Sequence, residues 1–272
     1  METVSENKCF GGIQGVYTHQ SVATGTEMTF GLFLPVQDGP VPVLWYLSGL
    51  TCTHENAMVK AGAQAYAAEH GIALVFPDTS PRGDGVADDE AFDLGQGAGF
   101  YVDATEAPWA PHFRMESYVL NDLSKFVFDA FPLDPARQSI TGHSMGGHGA
   151  LTLAAKAAGR FRSVSAFSPI CNPVESDWGK KQFTAYLGDV DHGRAHDASL
   201  LAEAGQLDLP VLTDTGTADQ FGPLLRTEAL AGALDGRQDA RVRMQDGYDH
   251  SYFFVSTFMG EHVHFHASHL AA

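Results

Sequence analysis

The sequence predicts an α/β fold in which a mostly parallel central sheet carries helices on both faces. Apolar runs rich in β-branched and aromatic residues alternate with stretches of helical periodicity, which is the pattern of such a sheet. The alternation continues to the end of the chain without a linker-like composition or an internal repeat. We therefore expect a single domain over residues 1–272.

The elements follow from these two periodicities. Strands are predicted where short apolar runs are bounded by turn residues, at 28–36, 41–48, 72–77, 137–141, 163–167, 209–213 and 240–245. Helices are predicted where apolar residues recur at helical spacing, at 55–70, 116–131, 145–158 and from about 251 toward the C-terminus. Residues 78–113 are rich in Gly, Asp and Pro and lack periodicity. Loops this long are usually lids or binding loops, so we place the segment beside the functional site.

Composition and charge exclude several classes of protein. With 44% hydrophobic and 18% charged residues, the chain can bury a full core. Its net charge of −17 repels phosphate backbones and anionic lipids, so neither nucleic acid nor a membrane is an expected partner. Neither a signal-peptide pattern nor a run of ~18 apolar residues is present, and we expect a cytoplasmic protein. Three cysteines, Cys9, Cys52 and Cys171, are too few and too scattered for a disulfide framework or a zinc site.

Residues 142–146 read Gly-His-Ser-Met-Gly and lie between a predicted strand and a predicted helix. This context is that of the nucleophile elbow of an α/β-hydrolase. The chain must reverse sharply there, and glycines at 142 and 146 avoid collisions with neighbouring backbone. The turn also places Ser144 at a helix N-terminus, where N–H groups favour negative charge. We therefore predict an α/β-hydrolase domain with Ser144 as its nucleophile.

The predicted general base is His250. A serine hydroxyl needs an imidazole to take its proton, and in this fold the chain order is serine, acid, histidine. Among 13 histidines, His250 lies in a loop between a late strand and the last helix. His143 and His148 lie too close to Ser144 in sequence to swing round to its Oγ easily.

Two aspartates in the loop after the strand at 209–213 compete for the role of the acid. Asp219 lies deeper in the loop, where it can reach a neighbouring loop, whereas Asp214 sits at the strand end and is expected to bond local backbone. Asp249 would have to fold back onto the adjacent His250. We prefer Asp219, and Asp214 remains the alternative because a triad is defined by geometry.

The last helix contains a histidine-rich tract, His262, His264, His266 and His269. His262 and His266 share a helix face, which could suggest a metal site. No carboxylate or cysteine pattern nearby supports one, so we expect no metal and a solvated terminal helix.

Two backbone N–H groups are candidates for the oxyanion hole. One belongs to Met145, directly after the nucleophile, and the other should come from the loop after an early strand. Residues 47–53, Leu-Ser-Gly-Leu-Thr-Cys-Thr, occupy that loop. Gly49 would let the backbone approach a substrate, and the N–H of Leu50 is the candidate donor.

Five blocks in order along the chain resemble the S-formylglutathione hydrolase family, also called esterase D. They are LSGLTCT (47–53), GAGFYVDAT (97–105), GHSMGGHGAL (142–151), SPICNPVESDWGKKQF (168–183) and GYDHSYFF (247–254). The resemblance implies hydrolysis of S-formylglutathione to formate and glutathione, the second step of glutathione-dependent formaldehyde detoxification. It also implies a cytoplasmic, often dimeric enzyme without a cofactor, an acid loop containing Asp219, and a Cys52 beside the site whose modification blocks activity.

Glutathione carries two carboxylates, so cations near the predicted mouth are candidate ligands. They are Arg82, Arg114, Lys180 and Lys181. Each could equally be an ordinary solvated cation. Trp109 and Trp178 could wall the cleft, although a core or dimer-contact role is equally credible.

Two other functions stay open at this point. A short-chain carboxylesterase or an acyltransferase would use the same fold and triad. A non-catalytic binding protein on a hydrolase scaffold is the alternative of another class, and the intact elbow and triad positions argue against it.

Overall fold

The computed structural model describes residues 1–271 and contains one nine-stranded sheet. Its strands are β1 (Glu2–Cys9), β2 (Gly12–Gln20), β3 (Glu27–Leu34), β4 (Val41–Leu47), β5 (Ala73–Pro77), β6 (Leu133–Gly142), β7 (Phe161–Phe167), β8 (Val211–Gly216) and β9 (Ala240–Gln245). They lie in the order β1-β2-β3-β5-β4-β6-β7-β8-β9. The pairings from β5 through β4 to β9 are parallel, and those among β1, β2, β3 and β5 are antiparallel. The predicted, mostly parallel sheet is confirmed.

Helices cover both faces of the sheet. They are α1 (His54–Lys60), α2 (Ala63–His70), α3 (Met115–Ser117), α4 (Ser124–Ala130), α5 (Met145–Lys156), α6 (Asp177–Leu187), α7 (Ala198–Glu203), α8 (Gly222–Leu225), α9 (Thr227–Ala233) and α10 (Tyr252–Leu270). A π-helical stretch, Tyr118–Leu123, joins α3 to α4. The apolar residues of α1, α2 and α10 pack in one core, and those of α5, α7 and α9 pack in the other. No helix within residues 1–271 is both long and apolar enough to span a membrane.

Strand β4 is apolar along nearly its whole length because both of its faces are buried. All of its residues are buried. Val43 and Trp45 face one core, while Leu44 and Tyr46 face the other. Because both faces of a parallel strand are covered by helices, its side chains are apolar on both sides. The strand therefore ends inside the protein, where the loop at 48–53 can be held rigidly.

Several stretches differ from the sequence prediction, and helices α6 to α9 were not predicted. The helix predicted at 55–70 is broken into α1 and α2 by Gly62, whose φ of 70° lies in the left-handed region that a helix cannot continue through. The N-terminal hairpin of β1 and β2 was not predicted. β1 is an exposed edge strand rich in polar residues, so it lacks the apolar alternation that indicates a strand.

The prediction of a solvated histidine-rich helix is wrong, because α10 buries two of its histidines completely against the sheet. The His266 ring nitrogens lie 2.8 Å from the hydroxyls of Ser163 and Ser165. The His262 ring stacks on Phe167 at a centroid distance of 3.8 Å, and its Nε2 lies 2.9 Å from Asp214 Oδ2. Burial lowers the pKa of both rings. They are hydrogen-bonded core residues.

Candidate active site

Ser144 occupies a sharp turn between β6 and α5. Its φ of 59° and ψ of −121° are unfavourable for a residue with a side chain, and such a conformation costs on the order of 1–3 kcal/mol. The surrounding structure maintains it, because the Ser144 N–H donates to the Phe167 carbonyl at 2.9 Å. A Cβ at 142 would lie 2.1 Å from the Gly146 carbonyl oxygen, and one at 146 would lie 2.0 Å from that of Leu47. Both glycines are therefore sterically required.

Asp219 and His250 lie in neighbouring loops, after β8 and after β9. His250 Nδ1 is 2.6 Å from Asp219 Oδ2. Burial opposes ionisation of Asp219, but hydrogen bonds from His250, the Ser168 hydroxyl and a backbone N–H outweigh it and lower the pKa of the carboxyl group. The carboxylate can therefore hold the imidazole with Nδ1 protonated, leaving Nε2 to accept a proton.

Ser144 and His250 line the same cavity. Within residues 1–271, no hydrogen bond joins Ser144 Oγ to His250, and such bonds are often long in hydrolases without substrate. The His143 ring packs 4.6 Å from the His250 ring. Burial lowers the pKa of His143 well below its usual value, so its ring stays neutral and does not place a second charge beside His250.

The two other aspartates considered for the acid have different partners. Asp214 was expected to bond local backbone, but its side chain does not do so. Its carboxylate is fully buried and binds Arg243, Gln245 and His262. Asp249 is exposed and accepts hydrogen bonds from the N–H and hydroxyl of Ser251. Of these aspartates, Asp219 is the one hydrogen-bonded to His250.

The candidate oxyanion donors lie on two sides of Ser144. Met145 is the first residue of α5, and Leu50 lies in the loop after β4. Within residues 1–271, neither backbone N–H has a hydrogen-bond acceptor. A Cβ at Gly49 would lie 3.1 Å from Ser144 Cβ, so a side chain there would crowd the proposed nucleophile. Two free N–H groups near a nucleophile can bind an oxyanion.

A cavity of about 300 Å³ extends from Ser144. Cys52 and Trp178, two of the predicted substrate-binding residues, line it. Burial raises the pKa of the Cys52 thiol, which disfavours the reactive thiolate. Trp109 packs in the core against Phe113 and Tyr186 instead of walling the cavity.

The predicted cations lie outside this cavity. All four form ion pairs, Arg82–Asp78, Arg114–Asp103, Lys180–Glu175 and Lys181–Asp93. Lys180 and Lys181, which were predicted to bind substrate, are thus paired with acidic neighbours and do not line this cavity.

Sequence reasoning missed several residues of the cavity wall, among them Phe221 and Lys60. Phe221 packs edge-on against His250 at 4.9 Å and also contacts Trp178. Its position two residues after Asp219 was the available signal. Lys60 also lines the cavity, and its signal was the helix that follows the loop at 47–53.

Ser168 is expected to position Asp219. Its hydroxyl donates to Asp219 Oδ2 at 2.7 Å, and its backbone N–H is bonded to the Asp214 carbonyl at 2.7 Å. Ser168→Ala should lower kcat about tenfold, the usual effect of one lost hydrogen bond to a charged group, with KM nearly unchanged. Steady-state kinetics on an aryl acetate tests this, with Ser268→Ala on α10 as the control. An unchanged kcat would show that the hydroxyl is dispensable.

Comparisons with known proteins extend over nearly the whole chain. The Esterase family model matches residues 21–265. The S-formylglutathione hydrolase of Paracoccus denitrificans is 64% identical over 99% of this chain and 98% of its own. That of Mus musculus is 48% identical over 100% of this chain and 99% of its own. A solved S-formylglutathione hydrolase structure from Agrobacterium tumefaciens is 46% identical, with a TM-score of 0.96 over 99% of this chain and 100% of that one.

Proposed function

This chain belongs to the S-formylglutathione hydrolase family, and from that membership we propose that it hydrolyses S-formylglutathione to formate and glutathione. The proposed triad is Ser144, His250 and Asp219. The observation that carries it is the 2.6 Å contact of Asp219 Oδ2 with Nδ1 of His250, which lines the same cavity as the strained Ser144. A strained serine beside an oriented imidazole is the arrangement of an activated nucleophile.

The first half-reaction acylates Ser144. His250 Nε2 takes the hydroxyl proton as Ser144 Oγ attacks the thioester carbonyl carbon, and the carbonyl electron pair moves onto oxygen. The N–H groups of Leu50 and Met145 stabilise this oxyanion. When the tetrahedral intermediate collapses, the C–S bond breaks and the sulfur takes the proton from His250. A thiol with a pKa near ~8.5 is a good leaving group, so this step demands little of His250 as an acid.

The second half-reaction releases formate. Water enters after glutathione leaves, and His250 takes a proton from it as its oxygen attacks the formyl ester of Ser144. The same two N–H groups stabilise the second oxyanion. The C–O bond to Ser144 breaks, and His250 returns the proton to Oγ. Asp219 keeps His250 in one tautomer throughout and stabilises its positive charge.

Cys52 and Trp178 are the proposed substrate contacts, supported by their positions in the cavity wall. Both are nearly buried, so a group attached to Cys52 Sγ would occupy space that the substrate needs. Modification of the Cys52 thiol should therefore block the site sterically, and the Cys52 sulfur takes no part in the reaction.

The family relationship further supports a cytoplasmic homodimer of single-domain subunits, acting in formaldehyde detoxification. The net charge of −17 is consistent with the absence of nucleic-acid and membrane partners. Sedimentation of the purified protein tests the dimer, and a monomer at micromolar concentration would reject it.

Turnover on two substrates tests the proposed function. We expect kcat/KM for S-formylglutathione, followed by thiol release, to exceed that for p-nitrophenyl acetate by a factor on the order of several hundred, because binding energy from the glutathione moiety contributes to selectivity. Comparable values would leave the serine-hydrolase mechanism standing and make the protein a broad short-chain esterase. If the acyl group were transferred to an added alcohol as fast as to water, the protein would instead be an acyltransferase.

A further inference from the structure

One cation lies in the wall of the active-site cavity. Among the described residues that line the cavity with Ser144 and His250, Lys60 is the single lysine or arginine. It is exposed and makes no ion pair within residues 1–271. Its charge is available to a ligand.

The oxyanion loop determines the position of Lys60. Helix α1 begins directly after Thr53, whose side chain caps the helix, so the loop and the helix form one rigid unit. Asn56 and Lys60 are four residues apart, which places them on the same helix face, and both line the cavity. Across the cavity, the Lys60 ammonium group lies 6.0 Å from the centre of the Tyr252 ring.

Lys60 lies at the far end of α1 from the loop that approaches Ser144, and the carboxylates of the glutathione moiety likewise lie away from the reacting carbonyl. Lys60 is the last residue of α1, and a rise of about 1.5 Å per residue puts its backbone roughly 10 Å from the start of the helix. In S-formylglutathione the reacting carbonyl is attached to the central cysteine. Each terminal carboxylate is about two residue lengths away, roughly 7 Å in an extended peptide, plus the cysteine side chain.

We propose that Lys60 binds a carboxylate of the glutathione moiety and thereby favours S-formylglutathione over neutral esters. This inference rests on the function proposed above. Lys60 acts on binding and takes no part in the chemistry at Ser144. Because the ammonium group is exposed, the contact is screened by salt, and its effect should weaken as ionic strength rises.

Lys60→Ala tests the assignment. We expect KM for S-formylglutathione to rise about 5- to 20-fold at low salt with kcat nearly unchanged, the range for a partly exposed charge-assisted contact. Activity on neutral p-nitrophenyl acetate should change less than twofold. Lys60→Arg should restore most of the lost affinity, and Lys60→Glu should raise KM further. Lys8→Ala is the matched control, because Lys8 is also exposed, lacks an ion pair within residues 1–271 and lies on edge strand β1.

The outcomes separate this inference from the proposed function. If the unmodified protein prefers S-formylglutathione and Lys60→Ala leaves its KM unchanged, the carboxylate contact is refuted and the function stands. Equal losses on both substrates would also refute it, because the substitution would then have disturbed the site as a whole. If the unmodified protein shows no preference for the thioester, the proposed function itself fails.

Discussion

Ser144→Ala is expected to lower kcat for S-formylglutathione by about 10⁶, the loss seen when serine hydrolases lose their nucleophile. The substitution removes the atom that is proposed to form the acyl-enzyme. The fold should be unaffected. The backbone bond from Ser144 to Phe167 is kept, and alanine can adopt the same φ of 59° at no greater cost than serine.

Single-turnover kinetics and the melting temperature measure this prediction together. The Tm should stay within about 3 °C, which for a chain of this size corresponds to about 1 kcal/mol. A fluorophosphonate should label the unmodified protein at Ser144 and fail to label the variant. A loss of less than tenfold would refute Ser144 as the nucleophile, and absence of labelling in both proteins would favour a non-catalytic binding protein.

The elbow could be predicted from sequence because its requirements are local. Gly142 and Gly146 are needed by contacts within a few residues of Ser144 or with the adjacent strand β4. A sequence motif records such contacts directly. The same holds for the loop at 47–53, where Gly49 approaches Ser144 between the neighbouring strands β4 and β6.

The errors arose where a side chain has a distant partner. His262 bonds Asp214, which is 48 residues away, and Lys181 pairs with Asp93, which is 88 residues away. No local periodicity reports such pairs. The histidine tract of α10 looked polar, yet hydrogen bonds to buried partners let its rings replace apolar side chains in the core.

The choice between Asp219 and Asp214 depended partly on local sequence and partly on distant contacts. Loop position favoured Asp219, but the contacts that distinguish it from Asp214 come from other strands. Ser168, 51 residues away, bonds Asp219, while Arg243 and His262 bond Asp214. These contacts suggest that one aspartate serves catalysis and the other serves stability, and that assignment can be tested by a pair of matched substitutions.

Asp219→Asn should lower kcat by about 10⁴, because asparagine keeps the shape of the side chain but no longer holds the imidazole in the productive tautomer or stabilises its positive charge. The Tm should change little. The one carbonyl oxygen of asparagine can still accept from the Phe221 N–H, and its NH2 group can donate to the Ser168 hydroxyl in place of the bond that this hydroxyl now donates to Asp219. Kinetics on S-formylglutathione and a thermal melt measure both properties in one preparation.

Asp214→Asn should instead lower stability and leave activity nearly unchanged. Its carboxylate is fully buried between Arg243 and His262, and Arg243 is 29% exposed at its side chain. Removing the charge leaves the partly buried Arg243 guanidinium without its buried counter-charge and should cost about 2–3 kcal/mol, somewhat less than for a fully buried pair. The Tm should fall by roughly 5–10 °C, with kcat within about threefold of the unmodified protein. If instead Asp214→Asn abolished turnover at an unchanged Tm while Asp219→Asn remained active, the two assignments would have to be exchanged, and the 2.6 Å contact of His250 with Asp219 would not be catalytic.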